Sequence, residues 1–154
     1  MRAHSHQGTQ SSGHRPPVDT VSAMHDELAV RDGLLDGDGE PALVGGRCRE
    51  CQSVCFPVQD VCPYCSEESV HEIRLSRTGT LWAWTAVTAA PPGYEGPVPY
   101  GFGVVELAEG VRVISRLTEA DPGKLSQGQE MVLVLDPLVE EKERRVLTYA
   151  FAPV

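Results

Sequence analysis

Two Cys-x2-Cys pairs followed by a series of short apolar runs predict a mainly β chain, in which a metal-closed ribbon precedes a five-stranded barrel. Cys48 and Cys51, then Cys62 and Cys65, fall within eighteen residues, and two such pairs on tight turns aim four thiolates at one tetrahedral zinc ion. With every position filled by sulfur the site is closed, so the zinc is structural. Beyond Arg74, five extended apolar runs alternate with turn residues, a spacing that fits the small closed sheet of an OB-fold. A chain of 154 residues holds both a stapled module and a barrel of about eighty residues.

Residues 1–20 contain Ser11, Ser12, Gly13, Pro16 and Pro17 and almost no large apolar side chains, so they bury too little surface to offset the entropy of ordering and form a tail. His4, His6 and His14 are assigned no role. Over 21–40 a short amphipathic helix is expected: Val21, Met24, Leu28, Leu34 and Leu35 share a face, Asp26, Glu27, Arg31 and Asp32 face out, and Asp36-Gly37-Asp38-Gly39 ends it. The ribbon is expected over 41–73, with Ala42 to Arg47 as the strand that delivers Cys48 and Phe56-Pro57-Val58 as an extended piece between the knuckles. So small a unit lacks a core, and metal binding contributes much of its folding free energy, on the order of 10 kcal/mol. Two other uses of the cysteines stand beside zinc. One is disulfides in a secreted domain, which the polar opening of the chain opposes. The other is an iron centre on the same four thiolates. Cys55, outside both pairs, reads as a small half-buried apolar residue.

The barrel is expected over 74–154, its strands running Gly79 to Ala90, Tyr100 to Ala108, Val111 to Leu117, Met131 to Leu135 and Arg145 to Phe151. In the first, Trp82, Trp84 and Ala86 alternate with Leu81, Ala83, Thr85 and Val87, which puts both tryptophans on one face. Glu109-Gly110 is short enough for a hairpin, with Gly110 taking the positive φ such turns demand. The connection from Pro91 to Pro99 has four prolines in nine residues and is expected to be a stiff projecting loop. Glu140 to Arg145 is a mixed-charge run expected to be a solvated loop.

The formal net charge is -9. Residues 1–73 carry 5 basic and 12 acidic side chains and residues 74–154 carry 8 and 10, so neither half offers the basic face that neutralises phosphates. A nucleic-acid partner is therefore disfavoured. No apolar run approaches the roughly 20 residues needed to cross a bilayer, which predicts a soluble, cytoplasmic protein without a membrane partner. His71 is the only histidine downstream of the ribbon's start, too few for a hydrolase-like triad, and reads as a surface or linker residue.

In this order and spacing the residues resemble a known family: the acyl-CoA-associated proteins that join a rubredoxin-like zinc ribbon to an OB-fold, the domain of unknown function thirty-five. The resemblance covers roughly residues 21–154. It is carried by Leu43-Val44-Gly45-Gly46-Arg47-Cys48-Arg49-Glu50-Cys51, by Phe56-Pro57 and Cys62-Pro63-Tyr64-Cys65, by Leu75-Ser76-Arg77-Thr78-Gly79-Thr80-Leu81, and by the closing Tyr149-Ala150-Phe151-Ala152-Pro153. Gln52, where glycine commonly follows the second cysteine, and the long polar tail depart from the pattern; Gln52 is expected to alter the turn slightly.

The resemblance implies a non-catalytic partner of a thiolase-like enzyme in a hetero-oligomer, with the OB-fold helping to bind or enclose the acyl-CoA and the catalytic cysteines and histidines belonging to the partner. Among the contexts it implies, a steroid side-chain retro-aldolase stands first, beside thiolases and ketide-forming acyltransferases. Trp82, Trp84, Tyr94 and Tyr100 are candidates for rigid aromatic contacts to the partner or ligand, and ordinary barrel core is the alternative for each. Arg112, Arg116 and Lys124 are candidates for the phosphates of coenzyme A, with solvated surface as the alternative. No residue is assigned a catalytic role. Two readings of other classes remain: a single-stranded nucleic-acid module using aromatics on an OB sheet, and a stand-alone enzyme or iron electron carrier.

Overall fold

The computed structural model describes residues 27–29, 33–36, 40–141 and 144–154, and the tail expected over 1–20 lies outside them. Ten strands make two sheets. In the smaller, β3 (Ala42–Cys48) lies centrally, pairing antiparallel with β2 (Leu35–Asp36), β4 (Val54–Cys55) and β5 (Val70–Arg74). The expected helix over 21–35 is not what its described residues form: Glu27–Ala29 is a strand, β1, parallel to the last strand of the barrel, and Leu35 begins β2. The open edge of the partner strand satisfies backbone groups that a helix would satisfy internally. The extended piece between the knuckles is β4, two residues ahead of the expected Phe56 to Val58. His71, expected at the surface or in a linker, sits half-buried in β5 opposite Arg47.

The larger sheet closes on itself. β6 (Thr78–Val87), β7 (Tyr100–Leu107) and β8 (Arg112–Leu117) form an antiparallel meander, β8 pairs parallel with β10 (Arg144–Pro153), and β10 pairs antiparallel with β9 (Glu130–Glu141), which returns to β6. The order β6-β7-β8-β10-β9 and back to β6 is the five-stranded closed barrel that the strand spacing predicts, with a short 3-10 turn at Pro122–Lys124 before β9. Gly110 turns the β7–β8 hairpin at φ 79°, donating its N–H to the Leu107 carbonyl. At Gly101 a side chain has no room, since a Cβ there would lie 2.1 Å from the Glu119 carbonyl oxygen.

Two expectations about the barrel need correction. The register of β6 slips between Leu81 and Ala83, so Trp82 is the extra residue of a β-bulge and the tryptophans do not share a face. Trp82 is 47% exposed, whereas Trp84 packs against the core and donates its Nε1–H to the Pro122 carbonyl. In the charged run from Glu140 to Arg145, expected to be a loop, the described residues extend the strands: β9 runs to Glu141 and β10 starts at Arg144, with Arg144 opposite Glu141 and Arg145 opposite Glu140 in the register.

Ribbon and barrel share one core. Leu43, Val54 and Leu75 belong to the same buried cluster as Leu81, Val105, Val113, Met131 and Phe151. Around this joint, Arg77 donates to the Pro41 and Leu133 carbonyls and pairs with Glu40, while Glu109 on the β7–β8 turn accepts from both the backbone N–H and the hydroxyl of Ser76. Phe56 of the ribbon meets the edge of Tyr149 on β10 at 5.8 Å.

Candidate metal centre

The four expected ligands converge. Cys48 ends β3, Cys51 follows three residues later on the first turn, and Cys62 and Cys65 occupy a second turn of the same construction. In each turn the first cysteine's carbonyl accepts a backbone hydrogen bond four residues on, from Gln52 to Cys48 at 3.1 Å and from Ser66 to Cys62 at 2.9 Å. The residue after each second cysteine is left-handed, Gln52 at φ 62° and Ser66 at φ 65°. Gln52 therefore takes the conformation a glycine would take rather than altering the turn, and its side-chain Nε2 steadies it by donating to the Arg49 carbonyl at 2.7 Å. A β-branched side chain tolerates this region poorly. Gln52→Val is expected to destabilise the ribbon by about 1–2 kcal/mol, and Gln52→Gly to be tolerated; zinc competition with a chromophoric chelator measures both.

Cys48 and Cys65 sulfurs are 3.6 Å apart, as are those of Cys51 and Cys62, and all four lie within 4.8 Å of one another. A tetrahedral zinc with bonds of about 2.3 Å places its sulfurs about 3.8 Å apart, so the donor set fits. Sulfurs 3.6 Å apart are not disulfide-bonded, and all five cysteines are free. Cys51 is held down at about 6, first by the Ser53 hydroxyl and then by its backbone N–H. Cys65 is pushed up to about 12: the Glu67 backbone N–H favours its thiolate, but burial and the sulfurs of Cys51, Cys48 and Cys62 together outweigh it. Four clustered sulfurs oppose one another's ionisation, and a divalent cation removes that conflict. Cys55 is buried and outside the cluster, as expected of an apolar filler.

The other candidates gather at two points on the barrel's outer face. Arg112 lies 4.1 Å over the Trp82 ring and binds Glu106 at 2.8 Å. It also lines a cleft of about 380 Å³ between ribbon and barrel, with Phe56, Gln59, Pro63 and Tyr64 on the ribbon side. Arg116 lies over Tyr100 at 5.2 Å and Tyr94 at 5.8 Å and pairs with Asp136 at 3.4 Å. Tyr94 anchors the proline-rich loop against Tyr100 at 5.1 Å, and its hydroxyl donates to the Pro97 carbonyl within the loop, while seven of the nine loop residues from Pro91 to Pro99 are exposed. Trp84 joins neither group. Lys124 pairs with Glu119 at 3.7 Å. Each of these three cations already faces a carboxylate. Missed in the sequence were Phe102 and Ile114, exposed on β7 and β8; the outward parity of both strands was the available signal. No helix among the described residues is long and apolar enough to cross a membrane.

Comparison with known proteins agrees with this architecture. The rubredoxin-like zinc ribbon domain of ChsH2 matches residues 35–71, and the C-terminal OB-fold domain of ChsH2 matches residues 72–136. A DUF35 domain-containing scaffold protein of Methanocaldococcus jannaschii is 31% identical over 110 residues, 71% of this chain and 78% of that protein. Benzoylsuccinyl-CoA thiolase subunit BbsA of Thauera aromatica is 29% identical over 115 residues, 74% of this chain and 78% of that subunit. Among solved structures, a chain of the Ltp2-ChsH2(DUF35) aldolase superposes with a TM-score of 0.57 at 28% identity, covering 73% of this chain and 84% of that one.

Proposed function

Because this chain belongs to the DUF35 family of zinc-ribbon and OB-fold scaffold proteins, we propose that it is the non-catalytic subunit of a thiolase-like acyl-CoA enzyme, a steroid side-chain retro-aldolase in the first instance. It stabilises that enzyme and helps to enclose its acyl-CoA. The observation that carries the reading is the likeness to a chain of the Ltp2-ChsH2(DUF35) aldolase, which covers 73% of this chain and 84% of that one. The metal centre supports it: the four paired cysteines are arranged as a closed tetrathiolate, an arrangement for rigidity rather than turnover. The reading places the protein in the cytoplasm, where thiols stay reduced and available to metal.

Co-expression with thiolase-like chains of the same genome tests the proposal. This chain and one of them are expected to elute as one heteromeric species, with full retro-aldol cleavage of a β-hydroxyacyl-CoA bearing a sterol nucleus only when both are present. Thiolytic activity on a β-ketoacyl-CoA instead would transfer the role to a thiolase. A monomer indifferent to every such chain, with each of them fully active alone, overturns it.

A further inference from the structure

The outward face of β7 and β8 is apolar at its centre. Ile114 is 61% exposed and Phe102 39%, and Val104 stands directly across from Ile114 in the register. Arginine-aromatic stacks flank this centre on β8, with Arg112 on Trp82 to one side and Arg116 on Tyr100 and Tyr94 to the other. Elsewhere on the described barrel, the ribbon sets Phe56 on Tyr149, β1 pairs along β10, and the turn at Pro122 meets Trp84.

Resting on the scaffold reading above, we infer that this face seats the thiolase-like subunit, through an uncharged apolar surface of that partner. Three observations select the occupant. Glu106 and Asp136 neutralise the two arginines, so the face presents aromatic and guanidinium planes with no free cation for a polyphosphate or a nucleic-acid backbone. Aromatic residues and arginine around an apolar centre are the side chains enriched in interface cores. A net charge of -9 repels a second copy of the same chain, which favours a different polypeptide.

The test is calorimetric titration of the full chain with the thiolase-like chain that co-elutes with it, alongside light scattering of each protein alone. Ile114→Asp is expected to weaken binding roughly 30-fold or more, the loss of one central anchor. Ile114→Thr, which keeps the β-branch, weakens it in the same direction and guards against a folding defect; zinc content and melting curve report that defect directly. Unchanged affinity in both variants, with wild-type binding intact, overturns this face and leaves the scaffold reading standing. Failure of the wild type to bind removes both. A wild-type homodimer that Ile114→Asp converts to monomer gives the face to a second copy and overturns the assignment.

Discussion

Cys62→Ser releases the zinc and unfolds the ribbon, an effect larger than any single core truncation in this chain. Cys62 is 2% exposed and its sulfur lies 3.6 Å from that of Cys51, so serine leaves a buried hydroxyl that neither replaces a thiolate on zinc nor finds water. Structural zinc contributes on the order of 10 kcal/mol, comparable with the whole stability of a domain of about 5–15 kcal/mol. β4, only two residues long, and the two knuckles have no comparable support of their own. Elemental analysis should find no bound zinc after dialysis, and amide exchange along β3 and β5 should lose its protection. Cys55→Ala, outside the cluster, should keep one zinc per chain. A Cys62→Ser protein that holds its metal with unaltered protection would remove the tetrathiolate assignment.

Leu75→Ala is the second large effect, and it distinguishes one cooperative unit from two. Leu75 is 2% exposed, its N–H donates to the Leu43 carbonyl at 2.9 Å, and it shares a buried cluster with residues from every part of the barrel. Truncation removes a buried isobutyl group and leaves a cavity, at a cost of about 2–5 kcal/mol. Because the cluster spans the joint, the loss should shift zinc release and the tryptophan fluorescence of Trp82 and Trp84 together, in one urea transition of lower midpoint. If fluorescence stayed at the wild-type midpoint while zinc left early, ribbon and barrel would be independent.

What the sequence revealed was whatever is encoded locally. The ligand set needs only the spacing of Cys48, Cys51, Cys62 and Cys65, and the β7–β8 hairpin needs only Gly110, so both were readable without tertiary information. The five barrel strands announced themselves by apolar runs and turn residues. Most of the misreadings involve backbone pairing that the local pattern of side chains does not reveal. One inserted residue at Trp82 shifts the parity of everything after it on β6, and strict alternation has no means of locating a bulge. Glu140, Glu141, Arg144 and Arg145 resemble a solvated turn as letters, and only the backbone ladder between β9 and β10 extends the strands that far. Leu28 fits a helical stripe equally well, and only the vacant flank of β10 decides for a strand. Arg112 and Arg116 carry the same lesson for function: as letters they suggest phosphate ligands, but folding delivers Glu106 and Asp136 to them.

β8 accompanies β10 through only two rungs, at Ala150 and Phe151, and β1 takes over that side at Arg145, Val146 and Leu147. The smallest self-sufficient fragment therefore includes Glu27–Ala29, well before the first cysteine. Trimmed to the zinc module and cylinder alone, the molecule would bare a stretch of unsatisfied amides, and identical copies would be free to zip together along it.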